Sequence, residues 1–108
     1  LLTPWKQIEE RIEFSAKGDF VLAIFNPKSC KRNWQLPKAI QILLRYRKPN
    51  TPVALARQLG RSEESLELYT LENVPFQKVD MLTILVIGNS QSIIKNEKFL
   101  TPRGYFPN

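Results

Sequence analysis

The sequence predicts an α/β fold, a mixed β-sheet of about five strands flanked by helices. Three observations carry this expectation. Residues 20–25 and 82–87 are short, continuous apolar runs rich in β-formers, the pattern of strands buried on both faces. A helical pattern separates the first run from another apolar stretch at 52–56, and strand, helix, strand within about forty residues reads as a βαβ unit with parallel strands and a right-handed crossover. The two long runs end abruptly, at Asn26-Pro27 and at Gly88-Asn89-Ser90. Proline brings no N–H to a sheet ladder, and asparagine and glycine favour turns.

The elements follow in order. Thr3 is a good N-cap and Pro4 suits a first helical position, so a helix opens there. Trp5, Ile8 and Ile12 recur at helical spacing, and Gly18 supplies the stop. After the 20–25 strand comes a polar, basic loop at 28–33. A second helix spans 34 or 35 to 47, with Leu36, Ala39, Ile40, Leu43 and Leu44 as its buried face and Pro37 tolerated in its first turn. The 52–56 strand leads through a polar turn containing Gly60. Leu66, Leu68 and Thr70 then alternate with Glu67, Tyr69 and Leu71, a half-exposed strand of antiparallel type. A short connector at 71–79, the 82–87 strand and a final edge strand around 98–100 complete the set.

A chain of 108 residues suits one domain with an independent core. No apolar run reaches the roughly eighteen residues of a membrane span, and no signal-peptide pattern opens the chain. One cysteine, Cys30, permits no internal disulfide and fits a reducing cytoplasm. There is no histidine, which removes the commonest general base and the commonest metal ligand. The net charge of +6 raises the possibility of nucleic acid. Its densest sets are Lys28, Lys31 and Arg32 in one loop and Arg45, Arg47 and Lys48 at one helix end. The helix dipole explains the second set. The first fits an anionic small molecule as well as RNA.

Neither a phosphate loop nor a glycine-rich dinucleotide fingerprint is present, and no metal-ligand spacing occurs. In open α/β sheets, ligands bind beyond the carboxyl ends of the strands. Three such ends are expected to meet: 25–27, 56–60 and 87–90. Their asparagine, glutamine, aromatic and backbone groups suit an adenine-like or amide-bearing ligand. They suit binding rather than bond breaking. The same pattern also arises from plain buried strands and their turns. Trp5, Tyr46 and Tyr69 read as packing residues.

Longer patterns are more specific. Leu2-Thr3-Pro4-Trp5 with Ile8-Glu9-x-Arg11, the run from Asp19 to Lys28-Ser29, and Lys31-Arg32-Asn33-Trp34-Gln35-Leu36 occur in order. They are followed by Thr51-Pro52-Val53-Ala54, Gly60-Arg61, Asp80-Met81-Leu82-Thr83, Ile87-Gly88-Asn89-Ser90-Gln91 and Thr101-Pro102-Arg103-Gly104-Tyr105. Together they resemble the precorrin-3B C17-methyltransferases of the tetrapyrrole methylase family. The resemblance implies that residues 1–108 are the C-terminal domain of a two-domain enzyme of cobalamin biosynthesis. S-adenosyl-methionine would sit between the domains, and precorrin-3B or its cobalt-bound form would be methylated at C17 with ring contraction. It implies a missing N-terminal domain, a homodimeric parent, a cytoplasmic setting and no activity for this chain alone. The start at Leu1-Leu2 without methionine agrees with a fragment.

Carried over residue by residue, the resemblance places Phe25, Asn26, Ala56, Leu59 and Leu82 against the methyl donor. Lys28, Lys31 and Arg32 match a branch-specific basic segment expected to meet substrate carboxylates. Arg57-Gln58-Leu59 departs from the usual Arg-Asn-Ala, which leaves Gln58 without an implied side-chain role. No residue of this chain is expected to be catalytic, and no metal, nucleic acid or membrane is implied. The alternative from composition alone is a basic, non-catalytic module for nucleic-acid binding or dimerisation.

Overall fold

The computed structural model describes residues 4–25, 35–57, 65–80, 82–96 and 98–101. Its elements are α1 (Trp5–Lys17), β1 (Leu22–Phe25), α2 (Gln35–Leu44), β2 (Pro52–Arg57), β3 (Ser65–Thr70), β4 (Thr83–Ile87), β5 (Ile93–Lys95) and β6 (Lys98–Leu100). Two 3-10 turns, Leu71–Asn73 and Phe76–Lys78, link β3 to β4.

The α/β class holds, but its pairing differs from the expectation. Four strands form one sheet in the order β1-β4-β2-β3, and every pairing among the described residues is antiparallel. β1 and β2 do run in the same direction, as a βαβ reading requires. They are not neighbours, because β4 is inserted between them in the opposite sense. An apolar run records burial, not direction, so the sequence could not distinguish the two arrangements.

Burial follows from this order. β2 is central and buried along five of its six residues. β1 is at an edge, and its residues alternate between half-buried and exposed, with Phe25 67% exposed. The expected strand buried on both faces is therefore a one-sided edge strand, and Phe20 and Val21 precede it, exposed.

Opposed residues of antiparallel strands share a face. Leu22, Ile87 and Val53 form one row across the sheet, and Ile24, Leu85 and Leu55 the next. Val53, Leu55, Leu85 and Ile87 belong to the core with Ile12 and Ala16 of α1 and Leu36, Ala39, Ile40 and Leu43 of α2, and Leu22 and Ile24 pack against it, partly buried. Both helices thus contribute to a core built on one sheet face. Trp5, Ile8 and Tyr69 pack against it as partly buried residues, in line with the packing role expected of Trp5 and Tyr69. Tyr46 lies at the surface and donates a 2.6 Å hydrogen bond to Glu13.

Helix ends differ in detail from the sequence reading. Pro4, not Thr3, stands at the α1 N-cap; its carbonyl accepts from the amides of Gln7 and Ile8, and Thr3 lies outside the described residues. Gly18 ends α1 but keeps a right-handed conformation. The left-handed residue is Asp19, at φ 60°. The amide of Phe20 reaches back to the Ser15 carbonyl and that of Asp19 to Ala16, a Schellman closure with aspartate where glycine is usual. Asp19 holds this conformation against the loop after β4. Its carboxylate accepts from the Ser90 amide at 2.8 Å and the Ser90 hydroxyl at 2.5 Å, and its carbonyl accepts from the Asn89 side-chain amide at 3.1 Å.

α2 ends at Leu44, three residues before the expected end, and residues 45–47 form a turn. Arg47 is buried, at 7% exposure. Its Nη1 donates to the Gly88 carbonyl at 2.6 Å, and its Nη2 donates to the carbonyls of Ser15, at 3.0 Å, and Phe20. The dipole explanation for Arg47 was therefore assigned to the wrong helix. It meets the C-terminal turn of α1, not that of α2. The same guanidinium ties together the end of α1, the approach to β1 and the exit from β4.

Gly88 permits this contact. A Cβ there would lie 2.6 Å from the Ser92 Cβ and 3.0 Å from the Pro52 carbonyl oxygen, which already accepts the Gly88 amide. Beyond it, β5 and β6 form a separate hairpin, with Asn96 left-handed at φ 52° in its turn. The sequence reading found β6 and missed its partner β5.

Replacing Arg47 by methionine leaves three carbonyls without their charged donor and should cost about 3 kcal/mol in denaturant unfolding. Lysine should not rescue the loss, because one ammonium cannot reproduce the planar fork. A cost under about 1 kcal/mol for Arg47→Met would show that the clamp is dispensable.

The Ser90 hydroxyl and amide hold the Asp19 carboxyl below the ordinary aspartate range. Its contribution to stability is therefore complete above the unfolded-state value and is lost as pH falls through the lowered folded value. In an NMR pH titration, Asp19 should titrate below exposed aspartates, and Asp19→Asn should remove this part of the acid destabilisation.

Candidate functional site at the carboxyl ends of β1 and β2

Because β4 runs against its neighbours, its first residues lie beside the carboxyl ends of β1 and β2. Phe25 and Ala56 both stand opposite Ile84, and Ala56 also stands opposite Leu66. These four side chains make one row on the sheet face away from the helices. Phe25 and Leu66 are largely exposed, while Ala56 between them is buried at 6%. A methyl group flanked by two large apolar side chains makes a shallow apolar wall.

Leu82 enters the same end from the turn before β4. Asp80 shapes this turn. Its Oδ1 accepts from the Leu82 amide at 2.9 Å and the Thr83 hydroxyl at 3.0 Å, while the Thr83 hydroxyl accepts from the Asp80 amide at 3.1 Å. These bonds, the Leu82 amide first, hold the Asp80 carboxyl below its ordinary value. Thr83 is 1% exposed, whereas Leu82 beside it is 55% exposed. The turn thus anchors the threonine and presents the leucine.

Arg57 fastens this turn to β2. It stands opposite Thr83, its Nη2 donates to the Lys78 carbonyl, and its Nε lies 3.9 Å from the Asp80 carboxylate. Tyr69, Glu67 and Lys78 continue the polar edge: the Tyr69 hydroxyl donates to Glu67 at 2.7 Å, and Lys78 lies 3.6 Å from the same carboxylate. Sequence reasoning missed Arg57 and Asp80 as organisers of the site. The Asp-x-x-Thr spacing at 80–83 was the available signal, since aspartate and threonine at that separation close a turn through their own side chains.

Of the residues expected to meet the methyl donor, Phe25, Ala56 and Leu82 therefore come to one end of the sheet. Asn26 and Leu59 lie outside the described residues, as do Lys28, Lys31 and Arg32, and also Cys30, Gln58 and residues 102–105. The expected meeting of three carboxyl ends does not occur. Ile87 stands opposite Leu22 and Val53, so the segment 87–90 is at the opposite end of the sheet. The reason is the antiparallel insertion of β4, which exchanges its carboxyl end for its start. A separate cleft of about 670 Å³ lies at that far end, lined by Asp19, Arg47, Lys48, Asn50, Asn89 and Ser90 among others.

The near end carries apolar surface and backbone groups, with the Arg57–Asp80 pair engaged in holding the turn and the Lys78–Glu67 pair beside it. It can position a flat or apolar ligand. Its carboxylates, Asp80 and Glu67, are both engaged by neighbouring donors.

No protein-family model matches the chain. It is 44% identical over 104 residues to the cobalt-factor III methyltransferase of Priestia megaterium, covering 96% of this chain and 19% of that protein. It is 37% identical over 105 residues to a protein of Salmonella typhimurium named as a probable cobalt-factor III C(17)-methyltransferase, covering 97% of this chain and 44% of the relative. The fold superposes on a crystal structure of the methyltransferase CobJ with a TM-score of 0.87 and 27% identity, over 93% of this chain and 42% of that one. The chain thus spans less than half the length of each of these proteins. It is homologous, over nearly its whole length, to the C-terminal part of the cobalt-factor III and precorrin-3B C17-methyltransferases.

Proposed function

We propose that this chain is the C-terminal domain of a C17-methyltransferase of cobalamin biosynthesis and forms one wall of its S-adenosyl-methionine site. The observation that carries the reading is the convergence of Phe25, Ala56 and Leu82, far apart in sequence, on one sheet end. The residues fit the cofactor's shape. An adenine ring needs apolar faces and nearby backbone groups, and Ala56 is small enough to let a ring approach β2 between Ile84 and Leu66.

When bound, the cofactor supplies a methyl group already activated by its sulfonium. The chain's own part is then positioning. Phe25 and Leu82 exclude water from the donor, and the Arg57–Asp80 contact keeps Leu82 in place. Lys28, Lys31 and Arg32 are proposed to hold carboxylates of precorrin-3B or its cobalt-bound form. The facing wall would come from the preceding half of the protein, and the parent would be a homodimer. The chain alone would not turn over. The competing reading as a basic module is weakened by Arg47, whose charge is buried on three carbonyls and adds nothing to a surface patch.

In a full-length protein carrying this chain, Phe25→Ala and Leu82→Ala should each weaken S-adenosyl-methionine binding about tenfold by calorimetry. Ala56→Leu should abolish it by filling the wall. Unchanged affinity in all three would place the donor elsewhere. Joint replacement of Lys28, Lys31 and Arg32 by glutamine should raise the KM for the tetrapyrrole and leave donor affinity unchanged; an unchanged KM would remove the substrate role.

A further inference from the structure

The two outer strands of the four-stranded sheet finish it differently. β3 carries Ser65, Glu67 and Thr70, and Lys78 lies 3.6 Å from the Glu67 carboxylate. Charges of this kind keep a terminal strand from pairing with further chain. β1 has no such protection. Residues 20–25 hold no charge, no proline and no glycine, and Phe20, Val21 and Phe25 are 65%, 41% and 67% exposed. One side of β1 pairs with β4. Its other side has no ladder partner among the described residues, which leaves backbone donors and acceptors open along an apolar strand.

Connectivity says which element belongs there. β1, α2 and β2 form a crossover between strands of the same direction, and such crossovers are almost always right-handed. α1 packs on the same core as α2, through Trp5, Ile8, Ile12 and Ala16. It finishes at the far end of the sheet, where Arg47 binds both the Ser15 and the Gly88 carbonyls and where β1 begins. α1 thus leads into β1 as α2 leads into β2. The hand of a crossover is set by strand direction, by the face that the helix covers and by the direction of travel across the sheet. With the first two shared, the third is shared as well. The passage from β1 to β2 moves inwards across β4, so a strand that feeds α1 lies one step outwards, on the open side of β1. It runs parallel to β1, and the 13 residues of α1, about 20 Å of helix, are long enough to recross the sheet.

We propose that the open edge of β1 is covered by a parallel strand from the part of the full-length protein that precedes this chain, with α1 as the right-handed crossover between that strand and β1. The chain spans less than half the length of the C17-methyltransferases and is homologous to their C-terminal part, so such a protein has chain to supply the strand. Pro4, extended at ψ 143°, leads from that direction into α1. The sheet then has five strands and becomes mixed. The proposal rests on the reading of this chain as the C-terminal domain of a longer protein, and not on where the methyl donor binds.

Hydrogen exchange resolved to single amides tests it in a full-length protein carrying this chain. In the pairing with β4, successive amides of β1 face β4 and the open edge in turn. With the edge covered, every amide from 22 to 25 is slow, and the outward-facing ones are slowed at least roughly a hundredfold relative to unstructured chain. A benzophenone side chain in place of Ala23, which is exposed on β1, then identifies the cover. Light-induced linkage to residues of the same polypeptide that precede this chain is the expected result. Alternating fast exchange along 22–25 would overturn the proposal, as would linkage to a second copy. Calorimetry on the same protein separates the two readings. An open edge in a protein that still binds S-adenosyl-methionine sinks the strand alone, and a covered edge in a protein without affinity for it sinks the donor site alone.

Discussion

One buried guanidinium holds the far end of this domain together. Arg47 reaches three backbone carbonyls from three segments: Ser15 in the last turn of α1, Phe20 on the way into β1, and Gly88 at the exit of β4. The Phe20 amide also reaches the Ser15 carbonyl and β1 pairs with β4, so the guanidinium adds a side-chain tie to segments that the backbone already brings together. Burial pushes the Arg47 guanidinium below its usual value, while the Asp19 carboxylate favours its charge. Asp19 also links the same segments, because its left-handed backbone ends α1 while its carboxylate binds the loop after β4. Gly88 completes the arrangement, since a side chain there would collide with Ser92 and the β2 entry.

The other end of the sheet depends on that anchorage. β4 enters between β1 and β2, and its register with both is continuous from Ile87 down to Ile84. Fixing its exit at Gly88 therefore sets its entry as well, about 3.4 Å of strand per residue away. The entry is where Leu82 is presented beside Phe25 and Ala56. Asp80 and Arg57 add local restraint, but the placement of these residues follows from where β4 lies. The two ends then differ in chemistry. One is an apolar wall suited to a flat ligand. The other is a polar cleft lined by Asp19, Lys48, Asn50 and Asn89 among others.

Much of this was legible before folding was considered. The strands were visible as apolar runs, the helices as residues spaced three and four apart, and the stops at Gly18 and Gly88 as residues that do not readily continue an element. Phe25, Ala56 and Leu82 were singled out through the family resemblance, whose ordered motifs also carried the link to the C17-methyltransferases. The role of Arg47 was not legible. In sequence it is one of three cations after an apolar helix, and the helix dipole accounts for such a cluster without further cause. Only the fold shows that Arg45 and Lys48 face solvent while Arg47 turns inward.

By itself the sequence determined the kind and order of most elements, the lack of histidine chemistry, and the motif set that identifies the homology. Each of these depends on residue type and local spacing. Tertiary structure alone decided that β4 runs antiparallel between β1 and β2, that the 87–90 segment leaves the expected site, and that a single arginine joins three segments. The reason is physical. Apolar periodicity reports how deeply a strand is buried but not which way it runs or beside which partner. A buried charge is likewise placed by carbonyls that are distant in the chain and come together only in the folded domain.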